Sequence, residues 1–209
     1  MCWNKEISLN TFLFSSFVLA LIFYNNTYTQ YKIKSFDNSW YYILLSSIFL
    51  MQLVESFIWR NIHSTYNQFF SIVASILLLC QPIISLMLID NKELRHNLIL
   101  IYVLIFIPYF TYKFMNNQMK SSISEKGHLV WSFLDNHIAV YFIWIFFFLF
   151  SFMYRQNYYG FLFAIGLFLL TYYNYYNDKT IGSMWCWIVN SIMIYFAFYL
   201  LFTLCGMMK

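Results

Sequence analysis

The sequence predicts an all-α polytopic membrane protein in which about seven helices form a transmembrane bundle. Of its 209 residues, 62% are apolar and only 10% are charged, against roughly 45–50% and about 25% in a soluble domain. The apolar residues form segments close to the length of about 20 residues that a helix needs to cross the hydrocarbon core of a bilayer. A soluble fold of this size could not bury so much apolar surface.

Seven apolar segments give the predicted spans. They lie at about 7–24, 40–59, 69–88, 98–112, 136–154, 158–173 and 183–204. Each is expected to be a helix, because a backbone in lipid must satisfy its own hydrogen bonds and runs such as WIFFFLFSFM lack the alternation of barrel strands. The spans and their connections use nearly the whole chain, which predicts a single transmembrane domain whose function resides in the bundle or its loops.

The connections predict how the spans are grouped. The charged turn DNKELRH joins the third and fourth spans as a short hairpin. A longer polar stretch, residues 113–127, separates the first four spans from the last three, so the bundle is expected to divide into groups of four and three. The start of the fifth span is ambiguous: it lies near Asn136, or as early as His128 in a long tilted helix.

The charge pattern indicates a membrane protein and gives no orientation. The formal charge is +4, and the twelve Lys and Arg residues are scattered singly, unlike a nucleic-acid-binding surface. With seven spans they fall six on each side, so the positive-inside rule does not decide the topology. The four cysteines have no CxxC spacing and report no redox compartment. The expected location is a membrane, with the organelle open.

Glu55 is the one ionisable residue placed clearly inside a predicted span. Gln52 precedes it by three residues and Trp59 follows it by four, so the three share one helix face. A carboxylate at such a depth costs a few kcal/mol unless it is protonated, paired or hydrated. One interpretation is an acid that carries a proton or binds a cation. The other is a carboxyl near the span end, held by Gln52, a tyrosine or Arg60.

Gln81 and Pro82, in CQPIIS of the third span, form the second candidate feature. Proline removes a helix hydrogen bond and frees a carbonyl one turn upstream. In transporters such interruptions line binding sites. The alternative is a kink whose free groups are satisfied by neighbouring serines.

His128, Trp131 and Asp135 recur at intervals of three and four residues. On a helix they would form a second polar face, opposite Glu55, if the fifth span begins early. If the span begins late, they are interfacial residues.

The seventh span opens with Gly182 and Ser183, a helix-start pattern, and carries Trp185 and Asn190. Ser183, Cys186 and Asn190 share a face that could line a pocket or pack closely against another helix.

The sequence offers no catalytic motif: HExxH, GxSxG and closely spaced histidine pairs are all missing. No cofactor or metal is therefore expected, and the sequence leaves open whether the chain is an enzyme. The leading hypothesis is a small transporter that conducts protons or a cation at Gln52 and Glu55, joined by His128 and Asp135 if the fifth span begins early. The alternatives are a receptor or lipid-binding protein with a pocket lined by Trp59, Trp131 and Trp185, an enzyme that modifies lipids with a metal held by Glu55, His128 and Asp135, and a structural membrane protein. Expected partners are membrane lipids with a proton, a cation or a small apolar ligand; a homo-oligomer is left open.

Three short stretches, GSMWCW, MQLVESFIW and CQPIIS, carry a resemblance to a known group. With the total length, they make the chain similar to uncharacterised seven-span membrane proteins of giant DNA viruses, protists and algae. The resemblance implies seven helices and a eukaryotic host or viral membrane. It implies no activity and no functional residue.

Overall fold

The chain forms a helical bundle with one small β-hairpin. The computed structural model describes residues 4–116, 118–134 and 138–204. Within these ranges the helices are α1 (Lys5–Tyr28), α2 (Ser39–Arg60), α3 (Tyr66–Leu86), α4 (Lys92–Met115), α5 (Ile138–Tyr154), α6 (Tyr158–Tyr175), α7 (Ile181–Val189) and α8 (Ser191–Leu204), and the strands are β1 (Ser121–Ile123) and β2 (Leu129–Trp131). The predicted all-α bundle is confirmed.

Five helical segments are long and apolar enough to cross a membrane. They are α1, α2, α3, α4 and the segment Ile181–Thr203, which combines α7 and α8. α5 is apolar but has only 17 residues, and α6 is not among the five. The chain is therefore compatible with a multi-pass membrane protein, whereas the predicted count of seven spans is not established by helix length and apolarity.

Asparagine residues set the start of four helices. Asn4, Asn38, Asn91 and Asn157 precede α1, α2, α4 and α6, and each side chain accepts a hydrogen bond from a backbone N–H of the first turn. This capping satisfies donors that have no partner within the helix. The helices α1 and α4 consequently begin in polar sequence, several residues before the apolar segments from which the spans were predicted.

Helix α2 occupies a central position. It packs against α1, α3 and α7; α3 also packs against α4 and α5, α6 lies between α5 and α7, and α8 packs against α1. The predicted groups of four and three helices therefore do not form separate bodies, because α3 packs against α5 and α2 against α7 across that division.

Helices α3 and α5 run in the same direction and end at the same level. The Ser85 hydroxyl donates to the Phe148 carbonyl (2.6 Å) and lies 2.7 Å from the Ser151 hydroxyl. Further along both helices, Nη1 of Arg155 donates to the Leu88 carbonyl (3.0 Å). Although α5 is shorter than α3, it reaches the same end of the bundle.

The stretch predicted to be a polar linker contains the β-hairpin. β1 and β2 are antiparallel, with Ser122 opposite Val130, and Gly127 in the turn adopts a φ of +77° that glycine permits. On α3, the Asn67 side chain donates to the Ser121 carbonyl (2.8 Å) and accepts from the Ser121 N–H (2.9 Å). Through these two bonds the hairpin is fixed to the first turn of α3, and we call this end of the bundle the hairpin end.

The other strand of the hairpin rests on α7 and on the turn that precedes it. The Ser183 hydroxyl donates to the Leu129 carbonyl (2.7 Å), and Lys126 forms an ion pair with Asp178 (2.8 Å). A Cβ added to Gly182 would lie 2.7 Å from a methyl group of Leu134, so α7 approaches this segment closely. The hairpin thus spans the bundle from α3 to α7.

The hairpin contradicts the early start proposed for the fifth span. Leu129–Trp131 is a strand, and α5 begins at Ile138. His128 and Trp131 therefore do not share a helix face, and that prediction is wrong. This part of the chain forms β2, which is hydrogen-bonded to β1, and not the first turns of a helix. The late start near Asn136 and the candidate residue Asp135 lie outside the described residues.

Candidate functional site

Pro82 leaves the Leu78 carbonyl without its usual helix partner, and Trp144 replaces that partner. A helix carbonyl accepts from the N–H four residues later, which for Leu78 would be the nitrogen of Pro82. The indole Nε1 of Trp144 on α5 donates to this carbonyl at 3.1 Å. The kink is therefore satisfied across a helix interface and not by neighbouring serines, which corrects that part of the prediction.

Gln81 joins α3 to α2. Its Nε2 donates to the Ser47 carbonyl at 3.0 Å, and the side chain has no exposed surface. Two residues before Gln81, the Leu79 carbonyl accepts from the Tyr102 hydroxyl of α4 at 3.0 Å. Together with Trp144, these bonds tie the proline turn of α3 to three neighbouring helices, so Gln81 has a structural role.

Gln52 and Glu55 lie inside the bundle on adjacent turns of α2. Both are 0% exposed. Neither polar atom of the Gln52 amide, Oε1 or Nε2, has a hydrogen-bond partner among the residues that the structure describes. A buried amide without partners costs about 1–3 kcal/mol relative to a satisfied one, so Gln52 is a polar group held in the core without local compensation.

Helix α7 faces Glu55. The carboxyl of Glu55 interacts electrostatically with the Cys186 thiol, which is also fully enclosed. Arg60, one turn later on α2, is exposed, and its guanidinium lies 5.8 Å from the centroid of the Phe57 ring. Glu55 and Arg60 thus occupy different surroundings, and Glu55 belongs to the packed interface between α2 and α7.

His128 lies in the hairpin, where it is largely buried beside the ring of Tyr175 (5.6 Å between centroids). Burial lowers the pKa of His128 from its ordinary value of 6.5, against the opposing attraction of Asp178. Trp131 is buried as well and stacks on Phe133. Both residues hold the hairpin in place at the end of the bundle.

Trp185 forms the centre of an aromatic cluster. Its ring packs edge-on against Trp144 and Phe148, each with centroids 5.4 Å away. The cavity beside it measures about 20 Å³ and has no polar lining, far below the roughly 300 Å³ of a small-molecule site. Trp59 and Trp131 do not line this cavity, so the pocket predicted from the three tryptophans is not formed here.

Asn190 interrupts the predicted seventh span, which the structure divides into α7 and α8. Its backbone N–H donates to the Trp187 carbonyl three residues back (3.1 Å), while its side-chain Nδ2 donates to the Cys186 carbonyl (2.6 Å). Its Oδ1 accepts from the Ser15 hydroxyl on α1 (3.3 Å). The side chain thus supplies a bond that the interrupted helix lacks and links the break to α1.

Several residues that organise the interior were missed from the sequence. Trp144, Asn67 and Ser15 gave no signal individually, since each depends on a partner more than 50 residues away. The spacing of Ser8 and Ser15, seven residues apart and both fully buried, could have marked α1 as a helix with a polar inner face.

Across the described ranges, which omit Asp135, no group of three His, Cys, Asp or Glu side chains is close enough to hold a metal ion. Comparison with known proteins gives no match. No protein family, curated protein or solved structure is similar to the chain. The resemblance to membrane proteins of giant viruses, protists and algae therefore stays a prediction.

Proposed function

We propose that this chain is a small transport protein that passes protons through the buried carboxyl of Glu55, with the amide of Gln52 on the adjacent turn as a polar neighbour. The observation that carries the proposal is that a carboxyl and an amide lie on adjacent turns of the central helix, both with no exposed surface. Ionisable groups inside a membrane bundle are expensive and mark proton or ion pathways. The presence of both groups in the buried part of a largely apolar helix supports a role in transfer.

A proton fits this site better than a hydrated cation. The three cavities described for the bundle, of about 20, 90 and 300 Å³, are lined by neither Gln52 nor Glu55. A hydrated cation needs open space at its site, whereas a proton moves between side chains that are in contact. The enclosed pair on α2 therefore favours proton transfer.

The proposal includes seven crossings of the bilayer. α5 ends at the level of the end of α3, where Arg155 binds the Leu88 carbonyl, and α6 returns to the hairpin end, where Tyr175 meets His128. At 17 and 18 residues these helices are about 25–27 Å long, slightly shorter than a hydrocarbon core of about 30 Å. Local thinning of the bilayer accommodates a difference of this size.

Proton flux in liposomes tests the proposal. The purified protein is reconstituted with a pH-sensitive dye inside, and a potassium gradient with valinomycin supplies the driving force. We expect flux from the wild type and at least a tenfold lower rate from Glu55→Gln, because the glutamine cannot release a proton. Absence of flux from the wild type would overturn the proposal.

A matched variant separates the site from a general loss of charge. Glu93→Gln makes the same change at an exposed carboxylate in the first turn of α4, and we expect its flux to equal that of the wild type. Both variants are compared by gel filtration, so that a misfolded protein is recognised. Equal flux from Glu55→Gln and Glu93→Gln would contradict the assignment to Glu55.

A further inference from the structure

A cleft opens between α1 and the junction of α7 with α8. Its volume is about 300 Å³, the largest of the three cavities described for the bundle. Nine residues line it, none of them ionisable. The walls include Phe14 and Ile194, which are about half exposed on the outer surface of the helices, so the cleft opens sideways, toward the position of the lipids around a membrane protein.

The floor of the cleft is polar. It contains Ser15 and Asn190, joined by the hydrogen bond of 3.3 Å that links α1 to the helix break. The Ser15 hydroxyl has no exposed surface, whereas Asn190 is slightly exposed. Asn190 keeps one amide hydrogen after its Nδ2 donates to the Cys186 carbonyl, because an amide nitrogen has two hydrogens. Thr11 and the exposed Ser191 add two hydroxyls to the lining.

The depth of the cleft limits which lipids can reach it. Thr11 lies six residues, or about 9 Å, from the start of α1, and Ser15 lies about 15 Å from it. A phosphate group held at the headgroup level does not descend this far, because a charge inside the hydrocarbon costs several kcal/mol. For a lipid whose only polar group is a hydroxyl, the free-energy cost of reaching this depth is much smaller. Hydrogen bonds to the cleft offset that cost.

We propose that this cleft binds the hydroxyl end of an uncharged lipid, with the hydroxyl at Thr11, Asn190 and Ser191 and the apolar body against Phe14 and Ile194. The shared chemistry is one or two hydroxyls on an apolar body, as in a diacylglycerol or a sterol. The site is distinct from Glu55 and does not depend on proton transfer; it requires only that the bundle lies in a membrane.

Photo-crosslinking in phosphatidylcholine nanodiscs tests the site. One arm uses a diazirine-bearing diacylglycerol and the other a diazirine-bearing sterol, and labelled peptides are identified by mass spectrometry. We expect saturable labelling of α1 and α8 around the cleft in one arm, competed by the same lipid without diazirine. The arm that labels identifies the source of the hydroxyl.

Variants on the rim make the assignment specific. Thr11→Val with Ser191→Ala removes two hydroxyls while leaving the bond between Ser15 and Asn190, and we expect cleft labelling to fall at least fivefold. Ser191→Phe, which fills the opening, should abolish it. Thr111→Val removes an exposed hydroxyl on α4, far from the cleft, and should change nothing.

Three results would overturn the proposal: labelling spread evenly over the helices in both arms, equal labelling of the cleft by a diazirine-bearing phosphatidylcholine, or crosslinks that join two copies of the chain at this surface. The last would identify the cleft as a helix-packing surface. None of these results bears on the flux assigned to Glu55.

Discussion

Pro82 and Trp144 are coupled through one backbone carbonyl, that of Leu78. The proline removes the donor for the Leu78 carbonyl, and the indole of Trp144 supplies another at 3.1 Å. In a membrane interior no water replaces a missing donor, so the tryptophan is needed because the proline is present.

A double-mutant cycle measures this dependence. Trp144→Phe should lower the free energy of unfolding, because the Leu78 carbonyl loses its donor. In a Pro82→Ala background the restored N–H of residue 82 serves that carbonyl, and the same change should cost about 1 kcal/mol less, within the range of hydrogen bonds between membrane helices. The measurement is unfolding in mixed detergent micelles; the half-buried Trp40→Phe serves as control. Equal costs in the two backgrounds would contradict the pairing.

At the scale of residues, the sequence predicted the burial of Gln52 and Glu55 and missed most of their surroundings. A carboxyl within an apolar segment is visible from composition alone. That α7 brings Cys186 beside Glu55 depends on the packing of helices far apart in sequence, which no local pattern encodes. Pro82 was likewise visible in the sequence, as a proline within an apolar segment. Its partner Trp144 was not, because it lies on another helix.

The hairpin is the element that the sequence predicted least well. Its strands have three residues each, too few for alternation to be recognised, and the polar residues around them are typical of a loop. Its buried side chains, such as Leu129 and Trp131, are as compatible with an early start of the next span as with a loop, so the sequence left both alternatives open. Long apolar helices, in contrast, were predictable because a segment of about twenty consecutive apolar residues can adopt few structures other than a membrane-spanning helix.

Removing the Asn67 side chain should release the hairpin from α3. Asn67→Ala deletes both bonds to Ser121, and we expect amide hydrogen exchange in β1 and β2 to rise by about tenfold or more, corresponding to roughly 1–3 kcal/mol for two lost bonds. Asn116→Ala, at the exposed end of α4, is the control. Unchanged exchange in Asn67→Ala would show that other contacts hold the hairpin.

The hairpin should also loosen in mild acid. Because the pKa of His128 is below 6.5 when the hairpin is docked, the undocked state binds a proton more readily, and the docked state is favoured less as pH falls through 6.5. Lys126, Asp178 and Tyr175 are the neighbouring groups. We expect faster hydrogen exchange in β2 at pH 5.5 than at pH 7.5, after correction for the intrinsic rate, and no such difference in His128→Phe. A pH dependence retained by that variant would assign the effect to another group.

At the scale of the whole molecule, the proposed seven crossings would place successive loops on alternate sides of the membrane. Lys126 and Lys179 should then lie on one side, with Lys34 and Lys92 on the other, together with Arg155. A bundle in which α5 and α6 turn back without crossing would put Arg155 on the side of Lys126.

Cysteine accessibility distinguishes these topologies. In a chain whose own cysteines are replaced by serine, single cysteines at positions 34, 92, 126, 155 and 179 are tested with a membrane-impermeant maleimide in sealed, uniformly oriented vesicles. We expect positions 34, 92 and 155 to react alike and opposite to 126 and 179. If the cysteine at position 155 reacts on the same side of the membrane as the one at position 126, the number of crossings is five.

The hairpin imposes an order on biogenesis. Asn67 binds Ser121, which lies 54 residues later in the chain. Leu129 binds Ser183, which lies 54 residues after Leu129. During synthesis α3 therefore leaves the ribosome long before its hairpin partner, and the hairpin precedes the helix on which its second strand rests. A nascent chain stopped before Ile181 would hold the six helices α1–α6 with one end still open, and only the last helices to emerge can close it.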